Sequence, residues 1–368
     1  MRPHAIVQPV KPPRGTIRVG VLRDHDPSVP LLPMAAALLH GSGHADVALP
    51  DARIYGEWLR RIGEGSIVLV PESAADVFLC AHDACDQSRV ACGLVAARRS
   101  GAPVVLYSES DDVKATPTVG GTVFRSSAYA SRLRPHERIA TGWVPDLRAE
   151  SSDGCPEVAP WHDRPTVGFI GHVTGGLRSI RYITRGMQHF YGFRYRDQVL
   201  RTFERSSDVS TAFVRRRRNL GPPMAGTHGD ERRRAMRREY VESVFANPYS
   251  LCIRGAGNWS YRLFETLAAG RIPVLIDTDC ALPMEREIEW TKHIIRIPSW
   301  NLAHAPRMLA EFHCSLGPDG VRRMQLRNRD LWIGTLQPAE FFERSLRDVA
   351  GGNLSGPNGS TSRPAGRP

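Results

Sequence analysis

The chain has 368 residues, 41% hydrophobic and 24% charged, with a net charge of +11. That length suits two domains rather than one core, and the composition is that of an ordinary globular protein. No run of about 18 apolar residues occurs, and the opening MRPHAIVQPVKPPRG lacks an apolar centre, so neither a membrane span nor a secretory signal is expected and a cytoplasmic setting is.

In chain order, IRVGVL (17–22), DVFLCA (76–81) and APVVLYSES (102–110) read as short buried strands. Helical patterns lie between them at ESAAD (72–76) and DQSRVACGLVAARRSG (86–101), the second closing on Gly101. Strands alternating with helices predict a parallel sheet wrapped in helices. AESSDGCPEVAPWHDRP (149–165) is polar, proline-rich and without period, and reads as an interdomain linker. A second series follows, with strands at 166–173, 210–216, 250–254, 272–276 and 293–298. Its helices are placed at about 176–190, 229–246, 259–269, 302–313 and 319–330. The final GGNLSGPNGSTSRPAGRP is low-complexity and reads as disordered. The expected division is an N-terminal unit over 1–155, a C-terminal unit over 156–340, and a helix end with a tail over 341–368.

The seven cysteines are scattered and read as reduced thiols. Cys80, His82, Cys85 and Cys92 miss the C-x2-C spacing of zinc sites. The basic excess favours anionic partners such as nucleotides. VRRRRN (214–219) and DERRRAMRRE (230–239) lack the docking element and interleaved aromatics of a nucleic-acid site, so no nucleic-acid partner is expected.

The densest stretch is RGAGNWSYRLFETLAAGRIPVLIDTDCALP (254–283). Arg254, Gly255 and Gly257 form a turn after a strand, and Asn258 or Ser260 can cap the helix that follows. Glycine permits close approach of a ligand, and a helix N-terminus attracts phosphate. Leu263, Phe264, Leu267 and Ala268 make the apolar face of that helix. Arg262 and Glu265, three apart, share another face, as a surface ion pair or as separate contacts to a diphosphate and a ribose.

Taken with YVESVFANPYSLCI just upstream, this stretch resembles the exostosin-type glycosyltransferase signature. The matching residues are Ser250, Leu251, Cys252, Gly255, Ser260, Arg262, Glu265, the Ala-Ala-Gly-Arg-Ile-Pro-Val run and Leu282-Pro283. VGFIGHV and LRSIRYITR also fit the start of the donor-binding half. The resemblance covers roughly 166–298 and is of the compact bacterial type. It implies an α/β, GT-B-like fold of two Rossmann-like domains facing a cleft. It further implies an inverting, metal-independent transfer of sugar from a nucleotide-sugar donor to a glycan or small-molecule acceptor, with no cofactor. Donor contacts are then expected from His172, Arg178, Arg254, Gly255, Gly257, Asn258, Ser260, Arg262 and Glu265, with Arg181 and Arg185 on the same helical stripe as Arg178.

Two alternatives stay open. Asp277-Thr278-Asp279 ends an apolar strand, the placement of metal-binding carboxylates in the other major glycosyltransferase fold. A catalytically inactive nucleotide-binding relative would keep the donor site and lack a base. The base is expected at the ends of N-terminal strands: Asp24, His25 and Asp26; His82 and Asp83; or Glu109, Asp111 and Asp112. His25, Asp26 and Glu109 lead, with His172 as a donor-side option.

Overall fold

The computed structural model describes residues 15–23, 31–44, 46–48, 51–114, 120–151, 156–173, 187–216 and 231–353. Two parallel sheets account for its strands. The first contains β1 (Ile17–Leu22), β2 (Ile67–Leu69), β3 (Val77–Asp83), β4 (Val104–Ser108), β5 (Thr122–Arg125) and β6 (Glu137–Ile139), ordered β2-β1-β3-β4-β5-β6. The second contains β7 (Thr166–His172), β8 (Ser210–Arg216), β9 (Tyr249–Cys252), β10 (Ile272–Asp277) and β11 (Ile295–Pro298), ordered β11-β10-β9-β7-β8. Both are the same doubly wound arrangement, with the first strand of each unit lying between its second and third. The order therefore reverses between β1 and β3 and between β7 and β9, and ligands of such sheets bind outside the carboxyl ends at that point.

The central strands form because their residues are apolar on both faces. β3 and β4 are buried almost end to end, as expected of parallel strands covered by helices on each side. The helix Gln87–Ser100 ends where expected, with Gly101 left-handed at φ 77°. The two helices expected at 302–313 and 319–330 are both present within Ala305–Leu331, separated at Gly317 (φ 61°) and Pro318. ESAAD is a single 3-10 turn, Glu72–Ala74, rather than an α-helix.

Several elements depart from the sequence expectation. Of the helix expected at 176–190, residues 176–186 lie outside the described part, and 187–190 open the helix Met187–Glu204, most of which was not expected. The helices Pro33–Gly41 and Ala52–Gly63, and the short strands β2, β5 and β6, were not anticipated. The largest difference is the helix Pro338–Ala350. The sequence reading split it between the C-terminal unit and a tail, but it packs on the N-terminal unit. Phe342 meets the rings of Trp58, Tyr107 and Trp143 at 5.4, 6.2 and 5.9 Å. Arg61 donates to Glu340 at 2.9 Å and to Glu343 at 2.5 Å. The chain thus crosses back after completing its second sheet.

One apolar cluster runs through both units. It joins Val19, Leu79 and Tyr107 of the first sheet to Phe342, then to Leu263, Phe264 and Leu267 of the helix Tyr261–Ala268, and on to Ile170 of the second sheet. The linker is anchored rather than loose. Arg271, fully buried, donates to the carbonyls of Pro156 and Glu157 at 2.9 and 3.1 Å and to that of Phe245 at 3.0 Å.

Phe342 sits where the returning helix meets the first sheet, so Phe342→Ala removes a fully buried ring with little chance of collapse. We expect a loss of about 3–5 kcal/mol. Urea denaturation should show a lower midpoint at an unchanged slope.

Candidate functional site

The carboxyl ends of the two sheets face each other. The link is direct: the loop after β4 and the loop after β5 touch the glycine turn after β9. Trp259 Nε1 donates to Asp111 Oδ1 at 2.7 Å. Asn258 N donates to Ser127 Oγ at 2.8 Å. A Cβ on Gly257 would stand 2.7 Å from Asp111 Oδ1 and 2.8 Å from Ser127 Oγ, so only glycine fits there. The β1, β3 and β4 ends therefore lie on the first unit's side of this junction, and the β7 and β9 ends on the second unit's side.

On the second wall, arginines converge at the β7/β9 reversal. Arg196, on the helix Met187–Glu204, donates through Nε to the Arg254 carbonyl at 2.9 Å and through Nη1 to the His172 carbonyl at 3.4 Å. Its position follows from Gly192, one turn earlier, where a Cβ would stand 2.1 Å from the Gly255 carbonyl oxygen. Absence of that side chain lets the helix lie directly on the turn. Burial, reinforced by the charge of Arg262, pushes the Arg196 pKa down to about 9. Arg262 lies flat on Phe169, 4.1 Å from the ring centroid, and donates to the Ile170 carbonyl. Its buried Nε has no hydrogen-bond partner among the described residues. Arg254 reaches Tyr129 Oη at 3.1 Å and the Ala256 carbonyl at 3.2 Å. His172 is buried at the end of β7. Ser260 takes the N-cap position of the helix Tyr261–Ala268 but makes no side-chain capping bond.

On the first wall, Glu109 follows β4. Among the described residues its carboxylate accepts no hydrogen bond, whereas each neighbouring acid has a partner. Asp83 accepts from the backbone N–H groups of Cys85 at 2.8 Å and Glu109 at 3.0 Å. Asp111 holds Trp259, and Asp112 accepts from Lys114 N at 2.9 Å. Glu109 has solvent at its surface but protein around it at longer range. That environment pushes its carboxyl up to about 7, with the charge of Asp83 adding to the effect. After burial, the Glu109 charge is the next cause raising the phenols of Tyr55, Tyr107 and Tyr261, which places it among all three.

The other expected residues distribute as follows. Asp24, His25, Asp26, Arg178, Arg181 and Arg185 lie outside the described residues. His82 is buried inside β3. Glu265 does not pair with Arg262. It accepts from Arg237 Nη1 at 2.9 Å and from Tyr240 Oη, and Arg237 is bound in turn to Glu150 at 2.6 Å. Asn258 does not cap the helix. Its amide nitrogen serves the carbonyls of Ala128, Thr278 and Asp279 at 3.1, 3.2 and 3.0 Å, and its oxygen accepts from Thr278 Oγ1 at 2.5 Å. Asp277 pairs with Arg296 at 2.8 Å. Asp279, left-handed at φ 63°, accepts from Ser131 Oγ of the other unit at 2.5 Å. The aspartates of the Asp-Thr-Asp turn are thus occupied in the seam between units. Among the described residues no group of three or more His, Cys, Asp or Glu is placed to hold a metal ion. The sequence reading missed Arg196; its one signal was a glycine and an arginine a turn apart in GFRYR, which gains meaning only once the turn it touches is known.

No protein-family profile matches the chain, and no curated protein sequence matches it. The exostosin-type resemblance therefore rests on the motif. Among solved structures the chain is similar to a glycosyltransferase from Rickettsia africae ESF-5, at 9% identity and TM-score 0.40, over 91% of this chain and 97% of that one. It is also similar to S. aureus TarM in complex with fondaparinux, alpha-GlcNAc-glycerol and UDP. That match has 8% identity and TM-score 0.35, over 74% of this chain and 55% of that one. A third, the glycotransferase of kitacinnamycin, matches at 12% identity and TM-score 0.31 over 90% and 99%. Scores at this level establish neither descent nor activity. No helix among the described residues is long and apolar enough to cross a membrane.

Asn258→Ala strands three buried carbonyls and the Thr278 hydroxyl at once. It should cost about 1–3 kcal/mol of stability, read by chemical denaturation. Unchanged stability with weakened nucleotide affinity would assign the amide to a ligand instead.

Proposed function

We propose that this chain is an inverting, metal-independent glycosyltransferase that moves a sugar from a nucleotide-sugar to a glycan or small-molecule acceptor. The observation that carries the reading is the division of charge across the cleft. A carboxylate with a pKa near neutrality stands at the end of β4, and arginines stand opposite at the β7/β9 reversal. Transfer with inversion needs that pair of facing functions. One group accepts the proton of the acceptor hydroxyl, and another set stabilises the diphosphate as it departs on the far side of the sugar.

In this reading Arg196 and Arg254, backed by the charge of Arg262, bind the diphosphate beside the N-terminus of the helix Tyr261–Ala268. Glu109 takes the acceptor proton while the hydroxyl oxygen forms its bond to C1. The C1–oxygen bond to the diphosphate breaks, and its electron pair leaves with the nucleoside diphosphate. Fixed guanidinium charge supplies the stabilisation that a divalent cation gives in other enzymes. The partners of Asp277 and Asp279 favour this over metal binding by that turn. Glu265 is assigned to the ribose hydroxyls, with Arg237 and Tyr240 holding its carboxylate in place.

Arg196→Ala should weaken binding of a nucleoside diphosphate by about 1.5–3 kcal/mol, the scale of a hydrogen bond to a charged group. Calorimetry with UDP, GDP, ADP and dTDP measures this, and the same affinity with and without EDTA is expected. Affinity that vanishes with EDTA and returns with manganese would turn the assignment to Asp277 and Asp279.

Glu109→Gln should leave that affinity within error and slow transfer about 10²–10⁴-fold. Because the base works ionised, kcat/KM of the wild type should rise with pH and level off above about 7. A pH–rate profile that keeps its limb in Glu109→Gln would place the base elsewhere.

A further inference from the structure

Two aromatic side chains stand beside Glu109 without a role in the reading above. Trp259 and Tyr261 lie just before and at the start of the helix Tyr261–Ala268. Their ring centroids are 4.2 Å apart and their planes inclined at 55°. Tyr261 is half exposed, at 50%, one of five large apolar side chains left open among the described residues. Trp259 packs in part against the shared apolar cluster, and its indole N–H is fixed on Asp111 at 2.7 Å. Asp111 stands two residues after Glu109 on the same loop. Trp259 is therefore held from both units, and the Tyr261 ring beside it leaves an open aromatic surface within reach of the Glu109 charge.

We propose that Trp259 and Tyr261 form the acceptor platform, on which the apolar face of an uncharged sugar ring stacks with one hydroxyl turned toward Glu109. The assignment rests on sugar transfer in this cleft. Sugar rings carry C–H groups on one face and hydroxyls around the rim, which matches an aromatic surface edged by carboxylates that accept hydrogen bonds. The charge of that edge decides the class of sugar. Asp83, Glu109 and Asp111 gather on this wall, so a uronate or phosphorylated ring would meet like charge, whereas a neutral ring would not. Geometry also separates the pair from the nucleobase. In a nucleotide-sugar the base lies on the opposite side of the diphosphate from C1, and C1 must come to the acceptor oxygen beside Glu109. A surface bordering Glu109 therefore belongs to the acceptor side.

The test uses the full chain and needs no donor. Saturation-transfer NMR is run with uncharged methyl glycosides and oligosaccharides, and with uronate-containing ones, on wild type, Tyr261→Phe, Tyr261→Ala and Trp259→Phe. Affinity for UDP, GDP, ADP and dTDP is measured on the same samples by calorimetry. We expect at least one uncharged sugar to bind wild type and Tyr261→Phe alike. Tyr261→Ala should bind it about tenfold more weakly or worse. Trp259→Phe, which keeps a ring but releases Asp111, should weaken it several-fold. Nucleoside diphosphate affinity should be the same in all four. The proposal is overturned if Tyr261→Ala binds the sugar as wild type does, or if only uronates bind. It also fails if no uncharged sugar binds to protein that does bind a nucleoside diphosphate, a result that leaves the donor site standing. Loss of nucleotide affinity in Tyr261→Ala would hand the pair to the nucleobase. A wild type that binds no nucleoside diphosphate sinks the sugar-transfer reading and this assignment with it.

Discussion

The buried amide of Asn258 fixes how far apart the two halves of the cleft stand. Its side chain bonds across the seam to Ala128 and within its own unit to Thr278 and Asp279, while its backbone N–H takes Ser127. Asp279 continues the seam through Ser131, and Gly257 lets the chain pass against Asp111. A buried amide that lost these partners would carry the full cost of desolvation, so the contacts stand or fall together. The glycine turn after β9 and the loops after β4 and β5 are held in one register as a result. Every functional relation in the cleft, from Glu109 to the arginines at β7 and β9, depends on that register.

Desolvation by surrounding protein acts on both sides and moves both kinds of charge toward neutrality, although the Glu109 side chain itself meets solvent. Arg196 falls to about 9 and Glu109 rises to about 7. Desolvation penalises whichever form is charged, so an anion brought to Arg196 or a proton brought to Glu109 relieves a cost already present in the empty protein. The arginines are not equivalent in this. Arg262 spends its donors and its flat face on the second sheet itself, on Ile170 and Phe169. In the proposed reading it acts through charge from beneath, whereas Arg196 and Arg254 stand beside the strand ends.

Most of the second unit was legible in the sequence. Runs such as IPVLI and SLCI left little room for error, and β9 and β10 fall at Tyr249–Cys252 and Ile272–Asp277. The helix Tyr261–Ala268 was legible from its apolar spacing, because burial of Leu263, Phe264 and Leu267 sets its face. What failed was whatever depends on partners far away in sequence. β5 and β6 are short and partly polar, and become strands by pairing in turn, β5 with β4 and β6 with β5. The helix Pro338–Ala350 has a clear apolar stripe, but nothing local says that the stripe belongs to the first sheet. Site residues show the same limit. The types at Asn258 and Asp279 were noted as chemically able, yet a short polar side chain suits a ligand and a seam equally well. Only the positions of Ser127 and Ser131 decide between them.

The returning helix gives the architecture its energetic logic. Two sheets joined by one linker would rely on a modest interface, and relative motion would be their ordinary state. Here the chain crosses back at residues 338–350 and inserts Phe341 and Phe342 under the first sheet. The apolar cluster then continues from one unit into the other through the helix Tyr261–Ala268. In the proposed reading, the spacing between Glu109 and the arginines is set by a packed core and a buried amide. Stabilisation of a departing diphosphate is strongest when the charges need not reorganise as it forms. The cost of holding like charges at Arg196 and Arg262 is met in folding, by the core that both units share.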